Sequence, residues 1–177
     1  IVAGVDAEIL DENDYVVKVR VGHASDVTGS IVLTTDTGST VTGADWTYLP
    51  AAEITAVSPA SGQFGTLVTI SGANLLLGAE SVQDLTLNGV ATEVLSSTNT
   101  EIQIRVLTGP VNTKIGDVRI STPSLAFVEY INAWTYLGQG DIDHITPSYG
   151  QIGTIITVAG SSLLGGGDEF NYAMLAG

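Results

Sequence analysis

The stretch "ITAVSPASGQFGTLVTISGANL", Ile54–Leu75, occurs a second time in altered form as "IDHITPSYGQIGTIITVAGSSL", Ile142–Leu163. The two copies align without a gap at an offset of 88 residues. Four pairs of positions that govern backbone shape are identical in both copies: Pro59 with Pro147, Gly62 with Gly150, Gly65 with Gly153, and Gly72 with Gly160. The chain of 177 residues therefore carries an internal repeat whose second copy has too little sequence after it to be completed.

The later part of the motif is repeated as well, but its second copy lies at the start of the chain. "GADWTYLP" corresponds to "NAWTYLG", which places Trp46 and Trp134 88 residues apart, and "AGVDAEIL" from Ala3 corresponds to "NGVATEVL" from Asn88. This pattern predicts three segments: 1–50 as the C-terminal part of a split domain, 51–138 as a complete domain, and 139–177 as the N-terminal part of the split domain.

Reading from Gly177 on to Ile1 gives "NYAMLAGIVAGVDAEIL", where the complete copy has "SVQDLTLNGVATEVL". We therefore expect one period of a two-domain repeat, in which 139–177 is completed by residues 1–50 of the next repeat or of another chain. Two arrangements remain open. A slice of a longer polypeptide with many repeats is favoured over separate chains that complete each other by donor-strand complementation. Either arrangement propagates in a line.

Composition and periodicity predict an all-β chain. Apolar residues make up 44% and charged residues 14%, which is not a disordered composition. Short runs alternate apolar and polar residues, as in Val68, Thr69 and Ile70, and are separated by Gly, Asn, Asp and Pro. No long segment shows helical spacing. Six or seven such strands per repeat predict a two-sheet sandwich.

The motif residues resemble the IPT/TIG domain, the immunoglobulin-like domain of plexins and some transcription factors. The matching residues of the complete copy are Ile54, Val57, Pro59, Gly62, Gly65, Thr66, Val68, Thr69, Ile70, Gly72 and Asn74, followed by Leu85, Leu87, Asn88, Gly89 and Val90. The second copy departs from the pattern at Ser162 and Ala3, which replace the two Asn. The resemblance implies tandem immunoglobulin-like β-sandwich domains arranged end to end, in which the shared Pro and Gly shape turns.

Charge and residue types disfavour several classes of function. The net charge is −14 with only five Lys and Arg, so neither nucleic acid nor an anionic membrane surface is an expected partner. The missing basic residues also disfavour the DNA-binding role known for some of the family. No apolar run has the length of a membrane span, and there is no Cys. "GQFGT" and "GQIGT" lack the following helix of a phosphate-binding loop. His23 and His144 stand alone, so we expect neither catalysis nor a cofactor.

Three carboxylates cluster in the turn "LDENDY", namely Asp11, Glu12 and Asp14. They form a weak Ca²⁺ candidate without the ligand ladder of an EF-hand, and a solvated hairpin is favoured. Trp46 and Trp134 are expected to pack in a core or against a neighbouring domain, because an aromatic ring buries a large apolar area.

The leading functional hypothesis is a structural extracellular or cell-surface protein, a repeat unit of a filament, stalk or matrix fibre whose partners are copies of itself. Linkers of about five residues, Leu49–Glu53 and Leu137–Asp141, predict a semi-rigid rod. Nine Ser or Thr among the 18 residues from Ser25 to Thr42 could carry O-linked glycans, and no Asn-x-Ser/Thr sequon is present. The alternative is an adhesion module, either a receptor stalk or a carbohydrate-associated accessory domain of a secreted protein.

Overall fold

The computed structural model describes residues 1–110 and 112–175, and within these ranges it contains fifteen β-strands and no helix. The chain divides into two compact units, Ile1–Ala51 and Ala52–Gly177. The all-β prediction is confirmed. The expected continuity between Gly177 and Ile1 involves Ala176 and Gly177, which lie outside the described residues.

The first unit is built from two antiparallel hairpins. Strand β1 (Ala7–Glu12) pairs with β2 (Val17–Val21), and β3 (Thr28–Thr34) pairs with β4 (Thr40–Thr47). Val2 bridges to Val5 and to Ile31, so the first residues of the chain lie beside β3. The core of this unit is small: the buried residues are Val2, Ala3 and Tyr48, and the partly buried ones are Val5, Ala7, Val19, Ala24 and Ile31.

The second unit contains a sandwich of two sheets. Its strands are β5 (Glu53–Ser58), β6 (Ser61–Gly62), β7 (Leu67–Ala73), β8 (Asp84–Leu87), β9 (Val90–Ala91), β10 (Glu93–Ser97), β11 (Glu101–Arg105), β12 (Lys114–Ser121) and β13 (Phe127–Tyr136). One sheet has the order β10-β11-β7-β5 and the other β6-β13-β12-β8-β9. All neighbours are antiparallel except β6 and β13. This arrangement matches the predicted two-sheet sandwich.

The inward-facing residues of both sheets form one core. Each strand alternates, so that Ile102 and Ile104 are fully buried while Gln103 between them is exposed. Thirteen residues belong to the buried cluster: Ile54, Val68, Ile70, Leu75, Leu85, Leu87, Ile102, Ile104, Val106, Val118, Ile120, Trp134 and Tyr136. Burial of this many large apolar side chains is the main force that holds the sandwich together.

The same unit continues beyond the sandwich into a further hairpin. Strand β14 (Asp141–Thr146) pairs with β15 (Thr157–Ser161), and this pair forms a two-stranded sheet of its own. The Gln63 side chain of the sandwich accepts a hydrogen bond from the Gly140 backbone N–H at 2.9 Å. The hairpin is therefore anchored to the sandwich through its first residues.

Candidate functional site

The hairpin β14–β15 has the local geometry of the hairpin β5–β7. Glu53 pairs with Ala73 in one, and Asp141 pairs with Ser161 in the other. Each ladder has a bulge two residues further on, after Ile54 and after Ile142. The peptide bonds before Pro59 and Pro147 are both cis.

Two pairs of glycines explain part of this likeness. Gly65 and Gly153 have φ of +85° and +87°, a left-handed conformation that favours glycine. A Cβ on Gly72 would overlap the backbone oxygen of Glu53, and a Cβ on Gly160 would overlap that of Asp141. The sequence motif therefore requires glycine for the same two reasons in both copies.

The first unit repeats the second half of the sandwich in the same way. The hairpin β1–β2 carries an Arg20–Glu8 ion pair at 2.6 Å, and β10–β11 carries Arg105–Glu93 at 2.9 Å. Both ladders have their bulge at equivalent positions, after Ile9 and after Val94.

The aromatic pair of β13, Trp134 and Tyr136, has a counterpart in Trp46 of β4 and Tyr48 just after it. Trp46 and Tyr48 meet edge to face at a centroid distance of 6.1 Å, and Trp134 and Tyr136 do so at 5.7 Å. Burial raises the pKa of the Tyr136 hydroxyl above its usual value, because the charged form would lose its hydration.

The two copies differ in what covers their apolar side chains. Trp134 has no exposed surface, whereas 42% of Trp46 is exposed. Ile54 is 6% exposed and Ile142 is 57% exposed, while fully buried Ile70 corresponds to Val158, which is 39% exposed. The unit Ile1–Ala51 has no counterpart of β5 and β7, which leaves Trp46 partly exposed in it. The expectation that Trp46 packs in a core or against a neighbouring domain stays a prediction.

The two-stranded sheets β1-β2 and β14-β15 also have open strand edges in the described part of the chain. In the sandwich, β11 lies between β10 and β7. Among the described residues, its counterpart β2 has β1 as its single strand neighbour, and β15, the counterpart of β7, has β14. An open edge presents unpaired backbone N–H and C=O groups that can bind another strand. Each of these edges, with the apolar face beside it, is a candidate functional site within its own unit.

The acidic turn between β1 and β2 is closed by an amide and not by its carboxylates. The backbone N–H groups of Tyr15 and Val16 donate to Asn13 Oδ1 at 2.9 and 3.0 Å. In the corresponding turn, Thr98 Oγ1 accepts from the N–H groups of Thr100 and Glu101. An Asx or Ser/Thr side chain commonly closes such a turn.

The candidate calcium ligands Asp11, Glu12 and Asp14 are all exposed in this turn. Within the described part of the chain, no three His, Asp or Glu side chains are grouped in a way that could hold a metal ion. His23 and His144 are exposed. No helix in residues 1–110 and 112–175 is long and apolar enough to cross a membrane.

A shallow cleft of about 270 Å³ lies at one end of the sandwich. Its lining residues are Gln63, Phe64, Thr108, Gly109, Pro110, Tyr136, Leu137 and Gln139. The lining has no charged side chain, and the Tyr136 hydroxyl makes no hydrogen bond to the protein atoms described. This set of groups offers neither an ion-binding site nor an acid–base pair.

Sequence reasoning identified the repeat but not the open edges or the shared ion pairs. The ion pairs could have been predicted, since Glu8 and Arg20 have the same separation in the sequence as Glu93 and Arg105. The open edges could have been predicted too. Each fragment lacks some of the strands of the complete repeat, and the strands that would pair with the missing ones have an open edge.

No curated protein matches the sequence. Among solved structures, the plexin A4 extracellular region is 18% identical (TM-score 0.46; 82% of this chain, 13% of that chain). The SGBP-B of a Bacteroides ovatus mixed-linkage glucan utilization locus, in complex with a mixed-linkage heptasaccharide, is 16% identical. Its TM-score is 0.38, and the match covers 77% of this chain and 36% of that chain. A candidate phosphatase from Bacteroides thetaiotaomicron VPI-5482 is 14% identical. Its TM-score is 0.40, and the match covers 51% of this chain and 19% of that chain.

The chain thus spans between 13% and 36% of the length of these proteins, and at such TM-scores the likenesses carry no argument about fold or function. The family model is more informative: the IPT/TIG domain model matches residues 52–136, which cover β5 to the end of β13. The predicted resemblance is confirmed for this segment. The chain therefore contains an immunoglobulin-like domain of the IPT/TIG family at residues 52–136.

Proposed function

We propose that this chain is a structural protein, one period of a linear filament, stalk or matrix fibre built from IPT-like domains. In this proposal, residues 1–50 and 139–177 are complementary parts of a second IPT-like domain, each completed by a neighbouring copy. The observation that carries the proposal is that each fragment has local features of the intact domain while its apolar face is uncovered. Residues 1–50 have the bulge and the Arg–Glu ion pair of β10–β11, and residues 139–177 have the bulge and the left-handed glycine of β5–β7.

The uncovered faces provide a driving force for association. Trp46, Ile142 and Val158 each expose between 39% and 57% of their surface, although Trp134, Ile54 and Ile70 at the equivalent positions are at most 6% exposed. Removal of apolar surface from water contributes about 25 cal/mol per Å². Each copy has one fragment of each kind, so contact between unlike fragments leaves a free fragment at both ends. Such a heterologous contact generates an open filament.

The surface chemistry supports an extracellular setting for this filament. Thr35, Thr37 and Ser39 lie in the exposed loop that connects β3 to β4, where their hydroxyl groups are accessible to glycosylation. We propose this segment as a site of O-linked glycans. A charge of −14 favours solubility of the long assembly.

Electron microscopy of the purified chain over a range of concentrations tests the proposed function. We expect thin fibres with two beads for each chain. Val158→Asp should abolish the fibres, because Val158 corresponds to fully buried Ile70 and its carboxylate would enter the completed core. Thr157→Asp is the matched control, since Thr157 corresponds to Thr69 on the outer face and should leave the fibres intact. Compact single particles at all concentrations would contradict the proposal.

A further inference from the structure

We infer that β15 of one copy, together with the two residues before it, Ile155 and Ile156, binds along the open edge of β2 of a second copy. The pairing is antiparallel, with Val158 opposite Val17 and Ile156 opposite Val19. This inference rests on the proposed function and specifies its contact: the partner is a second copy of this chain, and the site is one named strand edge with one register.

The intact domain contains the same contact within one chain. Strand β11 pairs with β7 so that Ile102 lies opposite Ile70 and Ile104 lies opposite Val68. All four of these side chains are at most 1% exposed. In this sheet β10 lies on the far side of β11 and β5 on the far side of β7, so the remaining edges of β11 and β7 pair with each other.

The repeat alignment transfers this register to the incomplete copies. Strand β11 corresponds to residues 16–20 at an offset of 85, which are Val16 and most of β2. Strand β7 corresponds to residues 155–161 at an offset of 88, which are β15 and the two residues before it. The five pairs obtained are Val16 with Ala159, Val17 with Val158, Lys18 with Thr157, Val19 with Ile156, and Arg20 with Ile155.

The side chains on the transferred pairs suit a half-buried sheet. Val17 and Val19 are partly buried on the inner face of β2, whereas Lys18 and Arg20 are exposed on the outer face. No pair places two like charges opposite each other, which would be destabilising. A shift by one residue would turn the apolar residues of β15 toward water, so burial selects this register over its neighbours.

Backbone groups beyond the strands extend the contact at both ends. In the intact domain, the N–H of Gly65 donates to the Val106 carbonyl oxygen at 2.9 Å, and the N–H of Gly72 donates to that of Thr100 at 3.0 Å. The equivalent donors are Gly153 and Gly160, and the equivalent acceptors are Val21 and Tyr15. The inferred contact therefore gives the acidic turn a role, because the transferred register makes the Tyr15 carbonyl oxygen the acceptor for Gly160 N–H.

This fit explains why a second copy is the occupant rather than an unrelated strand. Any strand could satisfy the edge hydrogen bonds of β2, but the inner face must also cover Trp46. The hairpin β14–β15 provides the counterparts of the residues that cover Trp134, since Ile142, Ile156 and Val158 correspond to Ile54, Val68 and Ile70.

Disulfide trapping between single-cysteine variants tests the register, because the natural chain has no Cys. Lys18→Cys chains are mixed with Thr157→Cys chains and oxidised with oxidised glutathione. Directly opposite residues have Cα atoms about 4.5–5.5 Å apart, within the range of a disulfide. We expect a disulfide-linked dimer, with the joined peptides identified by mass spectrometry.

A register-shifted mixture provides the matched control. Lys18→Cys with Ile155→Cys pairs positions two residues out of register, about 7–8 Å apart, and should yield about tenfold less dimer. Arg20→Cys with Ile155→Cys is in register and should link, which shows that Ile155→Cys is reactive. A double variant carrying Lys18→Cys and Thr157→Cys in one chain should give a ladder of linked multimers.

Different failures are distinguishable. Fibres without the in-register link, or with stronger linkage in the shifted mixture, would overturn the inference and leave the proposed function standing. A disulfide within a single chain of the double variant would show that the chain completes itself, and would contradict both. Absence of links together with absence of fibres would also contradict both.

Discussion

Trp134 and Trp46 occupy the same position of one motif, have the same edge-to-face contact with a tyrosine two residues later, and yet differ completely in exposure. The intact domain covers Trp134 with a second sheet, whereas the first unit contains only hairpins equivalent to β10–β11 and β12–β13. The comparison separates local structure, which forms within a hairpin, from the core, which forms between hairpins. Turns, bulges and the Arg–Glu pair are local and form in either setting, while a core requires strands that are distant in sequence.

The largest expected difference between the regions is the effect of removing the tryptophan. Trp134→Ala should lower the free energy of unfolding of the second unit by about 3–5 kcal/mol, because it empties a fully buried site. Trp46→Ala should cost only about 1 kcal/mol in dilute protein, because much of that ring is already exposed. Urea unfolding followed by circular dichroism measures both.

Ile131→Ala is the control for the tryptophan substitutions, since Ile131 is on the same strand as Trp134 but is 58% exposed. Its effect should be within about 0.5 kcal/mol. Equal losses for Trp134→Ala and Trp46→Ala would contradict the contrast between a covered and an uncovered face.

A smaller difference is expected at the tight turn that both regions share. Asn88 and Gly89 have φ of +50° and +76°, and Ala3 and Gly4 have φ of +48° and +81°. Both turns need positive φ at two successive residues, which Asn tolerates better than Ala. Asn88→Ala should therefore destabilise the second unit by about 1 kcal/mol. Ala3 is buried, so its matched change is Ala3→Gly, which relieves the positive φ without burying a polar group and should stabilise the first unit by a similar amount or less.

Thermal unfolding of these two turn variants provides the measurement, with opposite shifts of the midpoint expected. Gly43→Ala is a suitable control, because a Cβ at Gly43 meets nothing within 4 Å and its φ is not in the left-handed region. A decrease in stability with Ala3→Gly would show that the first turn does not follow the conformation of the second.

The sequence predicted much of the fold because its signals are local. Alternation in β11, the left-handed Gly65 and the close approach at Gly72 all act through neighbouring residues, and the family motif added the sandwich. The sequence could not predict that Trp46 would be exposed, since exposure depends on which strands are near in space. The sequence favoured a solvated hairpin at the acidic turn, but the role of Asn13 in closing it was not predicted, because attention went to the three carboxylates beside it.

The central claim is that the two incomplete fragments of neighbouring copies share one core, and the emission of Trp46 tests it most directly. In a Trp134→Phe background Trp46 is the only tryptophan of the chain. As concentration rises and fibres form, we predict a blue shift of its emission and strong protection from acrylamide quenching. Emission and quenching that stay those of an exposed tryptophan in samples where fibres are visible would contradict the account.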